Sequence, residues 1–160
     1  MAIEKVREYF KELGIEDRIQ EFTVSSATVD LAAQALGVDG QRIAKTMSFK
    51  KKDESCVLVV CAGDAKIDNA KFKHTFEVKA KMLTPDEVIE KVGHAIGGVC
   101  PFAVPDDVEV YLDESLKRFE TVFPACGSSN SAAEFTTDEL YKYSNAKAWV
   151  DVCKILGEEQ

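Results

Sequence analysis

The sequence predicts one α/β or α+β domain built around a mixed or mostly antiparallel sheet. The chain has 160 residues, one domain's length, and a chain of that size buries roughly 70% of its unfolded surface. Apolar residues make up 46% and charged residues 30%, a balance that sustains a packed core rather than disorder. Helix-like and strand-like segments alternate irregularly, without repeated βαβ units. No Gly-x-Gly-x-x-Gly opens a helix, which argues against a Rossmann domain.

Each element has a local signal. Ile3, Val6, Phe10 and Leu13 recur at helical spacing, so a helix is expected over 2–13, closed by Gly14. A short strand is expected near Ile19–Thr23. Thr28 caps a second helix that runs to Leu36 and stops at Gly37. Residues 43–50 alternate and 55–62 form a nearly continuous apolar run; the polar KKDE between them makes the pair a hairpin. A polar helix begins near Asp68. Thr84-Pro85-Asp86-Glu87 is a capping box with proline at the first helical position, and Val88, Ile89 and Val92 form the expected buried stripe. Val108–Leu112, Phe119–Ala125 and Ser131–Phe135 pattern as strands. Thr136 and Glu139 make a second capping box for a helix through Tyr143, and Ala148–Cys153 is the last expected strand. The total is roughly seven strands and five helices.

Composition narrows the function classes. The net charge is −8, unlike a DNA coat protein, which is usually basic. Charge is uneven: residues 42–91 hold eleven Lys/Arg against eight Asp/Glu, a local excess of three positive charges. That segment is either a solvated surface or a face for a phosphate backbone. No run of about 18 apolar residues occurs, so a membrane-spanning helix is not expected. The start MAIEKVREYF scatters charges and has no apolar signal core; a cytoplasmic protein is expected. Five cysteines without a Cys-x-x-Cys pair and two scattered histidines predict neither a disulfide framework nor a metal site.

Three features carry candidate chemistry. In Ile43–Lys50, period-two alternation puts Lys45 on the face of Ile43, Met47 and Phe49. An ammonium on an apolar face is costly unless it is paired or opens onto a cavity. It is then a compact donor to a substrate oxygen or a base; otherwise the lysine snorkels or pairs with a buried acid. The Gly97-Gly98-Val99-Cys100-Pro101-Phe102 segment either lets backbone N–H groups approach a ligand or is an ordinary tight turn. Cys126-Gly127-Ser128-Ser129-Asn130-Ser131 either lines a pocket with hydroxyls or closes a hairpin. The hydrolase elbow and the phosphate-binding loop are absent. Cys100 or Cys126 as a nucleophile lacks a histidine motif, and His94 is placed either at a pocket rim or in surface or core. Trp149 and the phenylalanines are expected to fill core.

At these residues the chain resembles the YbaK family of aminoacyl-tRNA editing domains, also called the prolyl-tRNA-synthetase-associated or insertion-domain family. Five pieces match in order across nearly the whole chain: Ala35-Leu36-Gly37, Ile43–Thr46, Gly63-Asp64, Gly97–Phe102, and Cys126–Asn130 followed by Thr136–Leu140. The resemblance implies one compact domain over residues 1–160, with a mixed, partly closed sheet flanked by helices. The implied activity is hydrolysis of the ester of a misacylated tRNA, acting in trans. The family's lysine falls on Lys45, as the catalytic residue. The implied substrate-binding positions are Thr46, Gly97, Gly98, Val99, Pro101, Ser128, Ser129 and Asn130. No cofactor or metal is implied. The implied partner is the acceptor end of tRNA, with room for a synthetase and no role for membrane or DNA. Alanyl-, cysteinyl-, seryl- and threonyl-tRNA all stay open as substrates, because one methylene or hydroxyl shifts discrimination by only about 1–3 kcal/mol. A non-catalytic tRNA- or synthetase-binding module is the alternative. The chain departs from the family's usual pattern at Ala103, where many relatives carry another glycine.

Overall fold

The structure is a computed structural model and describes residues 2–156. Ala2–Leu13 forms helix α1, which buries Val6 and Phe10 completely; at i and i+4 they share one face. Gln20–Glu21 is strand β1, shorter than the expected 19–23 because its partner offers only two residues. Val29–Leu36 is α2, capped by the Thr28 hydroxyl and closed by Gly37 in the left-handed region. Ile43–Lys50 (β2) and Cys56–Ala62 (β3) pair antiparallel over seven rungs, from Ala44–Ala62 to Lys50–Cys56. All seven residues of β3 are buried, as their unbroken apolar run requires.

Ala65–Ile67 (β4) has no expected counterpart in the sequence pattern. Asn69–Phe76 (α3) starts where Asp68 accepts the N–H groups of Ala70 and Lys71. Pro85–Val92 (α4) carries the complete capping box of Thr84 and Glu87. Its buried residues are Val88 and Val92, whereas Ile89 is 56% exposed. The expected stripe is corrected there: a residue at i+1 is turned about 100° off the face shared by i and i+4.

Glu109–Asp113 (β5) and Thr121–Pro124 (β6) follow. The strand expected over 131–135 divides into Ser131–Ala132 (β7) and Phe135–Thr136 (β8). Between them the Ala133 N–H turns to the Pro124 carbonyl (3.1 Å) and the chain changes partner from β1 to β6. Thr137–Tyr143 (α5) has its expected capping box. The last expected strand also divides, into Ala148–Val150 (β9) and Cys153–Ile155 (β10). Buried Asp113 causes that break by taking the Val152 N–H at 2.9 Å, and β10 crosses to β4.

The main sheet runs β8-β6-β2-β3-β5-β9. It is mixed, as predicted: β2–β3 and β6–β8 are antiparallel, and β2–β6, β3–β5 and β5–β9 are parallel. Phe10, Phe102 and Phe135 meet at centroid distances of 4.9–5.7 Å in the core under α1. β2 and β6 share only two rungs, Ile43–Phe123 and Ala44–Pro124, and then diverge.

Candidate functional site

The divergence of β2 from β6 opens a cavity of about 360 Å³. Val29 and Ala32 of α2, Phe123 and Ala125 at the end of β6, and Met82 and Leu83 before α4 wall it. Lys45, Thr46, Gly97 and Val99 also line it. Lys45 is the sole charged side chain among the described lining residues. Its half-buried Nζ donates to the Gly63 carbonyl at 3.4 Å. That distance is at the long end of hydrogen bonding, and an ammonium has three donors, so capacity remains for a ligand oxygen.

Gly63 is constrained as tightly as the lysine it anchors. A Cβ there would lie 2.0 Å from the Gly40 carbonyl oxygen and 2.8 Å from Val29 Cγ1. Only glycine lets the segment before β2 approach this closely. Next to it, Asp64 takes Arg118 in a two-pronged ion pair at 3.0 and 2.5 Å. The Gly63-Asp64 pair thus fixes the floor on which Lys45 rests.

The opposite wall is a three-way stitch. Gly97 has φ +95°, and a Cβ on it would meet Ala27 Cβ at 3.2 Å and Ser129 Cβ at 3.5 Å. Gly98 is more confined: its Cβ would stand 2.7–2.8 Å from the backbone of Ser128. The Ser129 carbonyl accepts the Ser26 N–H at 2.6 Å, and Asn130 exchanges bonds with Phe22 through its main chain (2.8 Å) and its amide (3.0 Å). Ser128 Oγ donates to Asn130 Oδ1 at 2.9 Å and lies 2.7 Å from Ser131 Oγ. Segments 22–28, 95–99 and 128–131 are therefore one wall.

The sequence-predicted residues separate into three groups. Lys45, Thr46, Gly97 and Val99 meet at the cavity. Gly98, Ser128, Ser129 and Asn130 stand behind it as the stitch. Pro101 is buried and lines a different crevice, with Tyr9, Ala103 and Asn145. Ser26, Ala27 and Thr28 line the cavity unforeseen; their only sequence signal is the helix cap at Thr28.

His94 is not at a rim. It is 1% exposed, with Nε2 2.9 Å from the Phe102 carbonyl and 3.6 Å from Cys100 Sγ, and with Nδ1 buried and unpartnered. It ties the two ends of the glycine turn together. Burial lowers its pKa against the raising effect of the Phe102 carbonyl. Cys100 is fully buried and its thiol is pushed up to about 12; burial also raises Cys126. A thiol so placed is a poor nucleophile, which disfavours cysteine chemistry. No group of three or more potential metal ligands occurs among the described residues, and no described helix is long and apolar enough to cross a membrane.

Comparison with known proteins adds to this geometry. Residues 23–143 match the family described as the aminoacyl-tRNA editing domain. The uncharacterized protein YwhH of Bacillus subtilis (strain 168) is 55% identical over 154 residues, covering 96% of this chain and 98% of that one. The proline–tRNA ligase of Thermotoga maritima is 27% identical over 161 residues, covering 94% of this chain but only 27% of the ligase. A crystal structure of a candidate trans-editing enzyme for prolyl tRNA synthetase superposes with a TM-score of 0.85 at 27% identity, covering 96% of this chain and 97% of that one.

Proposed function

The chain belongs to the aminoacyl-tRNA editing domain family, and from that premise we propose that it is a deacylase acting in trans on misacylated tRNA. The reaction is hydrolysis of the ester between a wrong amino acid and the terminal ribose, carried out by one domain. The observation that carries this reading is the Lys45 ammonium at the edge of a largely apolar cavity opposite the Gly97 turn.

An aminoacyl ester is already activated, so orientation and stabilisation of the developing oxyanion suffice for useful rates. Lys45 donates to the ester carbonyl and strengthens that bond as negative charge builds. Main-chain N–H groups of the Gly97 turn hold the carbonyl or the ribose. The apolar walls keep bulk water away, which strengthens the lysine's field. Either water or a hydroxyl of the substrate itself completes the attack. The positive excess over residues 42–91, which includes exposed Lys79 and Lys81 beside Met82 at the cavity, suits the acceptor end of tRNA. Binding is then salt-sensitive and weakly base-specific. The likeness to proline–tRNA ligases makes a prolyl-tRNA synthetase the natural associate.

The test is a panel of tRNAs charged with alanine, cysteine, serine or threonine. The folded protein deacylates at least one member, and Lys45→Ala lowers kcat/KM by about 100-fold or more, the cost of one oxyanion donor, without lowering Tm. If the folded protein cleaves no member, the deacylase reading falls. tRNA binding that survives Lys45→Ala without turnover then identifies a binding module.

A further inference from the structure

The cavity edge carries an unfilled hydrogen-bonding rung. Residues of a strand present their main-chain groups to alternate sides. The Leu83 N–H donates to the Ser48 carbonyl (3.1 Å) and the Lys50 N–H to the Lys81 carbonyl (2.9 Å). Even-numbered residues of β2 therefore face the edge away from β3. Ala44 is paired there with Pro124 of β6, and Ser48 and Lys50 with segment 81–83. Thr46 lies between them, and its main-chain N–H and carbonyl have no partner on that edge among the described residues. The Thr46 hydroxyl is also buried without a hydrogen-bond partner. Three polar groups of one residue thus stand unsatisfied beside the cavity, a cost that a bound ligand removes.

The charge of the cavity says which ligand group belongs there. Among the described residues no carboxylate lines it, and Lys45 is the one cation there. A positively charged group entering this space needs neutral acceptors placed away from Lys45. Thr46 offers two, its carbonyl and its hydroxyl, and its side chain lies on the face of β2 opposite to that of Lys45. The hydroxyls of Ser26, Thr28 and Ser131 are already engaged with protein.

We propose that Thr46 holds the α-ammonium of the aminoacyl group, through its main-chain carbonyl and its hydroxyl, and so turns the ester carbonyl toward Lys45. This rests on the deacylase reading of the cavity.

Two stable ligands test it: 3′-deoxy-3′-(alanylamino)adenosine and its propionylamino counterpart, which lacks only the ammonium. The parent protein binds the alanyl ligand at least tenfold more tightly by calorimetry. That ligand alone shifts the Thr46 carbonyl ¹³C resonance. Thr46→Val narrows the preference to about threefold or less while leaving propionyl affinity unchanged. Equal affinity of the parent for both ligands overturns the proposal and leaves the deacylase reading standing. So does a preference unaffected by Thr46→Val with no Thr46 carbonyl shift. Binding of neither ligand by the folded parent overturns the cavity as the aminoacyl site, and the Thr46 assignment with it.

Discussion

The Lys45 ammonium donates to the carbonyl of Gly63 at 3.4 Å, and Gly63 itself packs where a Cβ would stand 2.0 Å from the Gly40 carbonyl oxygen. The proposed catalytic amine is thus held by a residue with no room for any side chain. Backbone packing sets the position of the charge.

Gly63→Ala is expected to destabilise the protein by about 2–3 kcal/mol, as overpacking against backbone does. Because the Gly63 carbonyl must move, the proposed deacylation is also expected to fall in the fraction that stays folded. A Tm within 1 °C of the parent, on the order of 0.5 kcal/mol or less for this size, would sink this reading of the contact.

Gly98→Ala tests the stitched wall. Its Cβ would stand 2.7–2.8 Å from three backbone atoms of Ser128, so segments 95–99 and 128–131 must separate. The expected outcome is a rise in KM for the proposed tRNA substrate of about tenfold, equivalent to roughly 1.4 kcal/mol of lost binding. Unchanged kinetics would show that the cavity does not depend on this contact.

His94 predicts a pH dependence of stability. Its folded pKa is lowered by burial, so between that value and the ordinary histidine pKa of about 6.5 the unfolded chain binds more protons. Stability therefore falls as pH drops below about 6.5, by at most about 1.4 kcal/mol per pH unit from one group. Denaturant unfolding between pH 7.5 and 5.0 measures it, and His94→Gln flattens the slope. A parent protein equally stable at both pH values would contradict the buried neutral imidazole.

Ala103 sits at φ +55°, in the left-handed region where a Cβ costs roughly 1–2 kcal/mol and glycine costs none. Glycine's greater freedom in the unfolded chain offsets about 0.5–1 kcal/mol of that. Ala103→Gly should raise stability by up to about 1 kcal/mol, read as a higher denaturant midpoint. A lower midpoint would mean that the methyl group packs more usefully than it strains.

The cysteines should be silent. All five are buried, and burial pushes the Cys100 thiol up to about 12. Native protein at pH 7.5 is expected to react slowly with an aromatic disulfide reagent and to keep the proposed deacylase activity after iodoacetamide treatment. Rapid inactivation would restore a cysteine nucleophile.

Elements with a local cause were legible in the sequence. The Thr28, Thr84 and Thr136 caps, the alternation of β2 and the apolar run of β3 each act within a few residues, and those elements form as expected. β4, the β7–β8 break and the β9–β10 break were not legible. Each spans two or three residues and exists because of a distant partner, such as the Asp113 carboxylate at Val152. The site divides the same way. Period two flagged Lys45, but nothing local ties Ser26 to Ser129 or turns Pro101 toward the Tyr9 crevice. The glycine at the end of β3 was visible as a motif, while its reason, the Gly40 carbonyl, lies 23 positions upstream.

The stitched wall has a consequence for the newborn chain. Lys45 leaves the ribosome well before Ser129, whose carbonyl fastens Ser26, and before Ala132 of the far lining. A nascent polypeptide that stops short of residue 132 carries the amine without the enclosure around it. The proposed ligand pocket is then enclosed only after the segment through residue 132 has been made, shortly before β9 completes the main sheet.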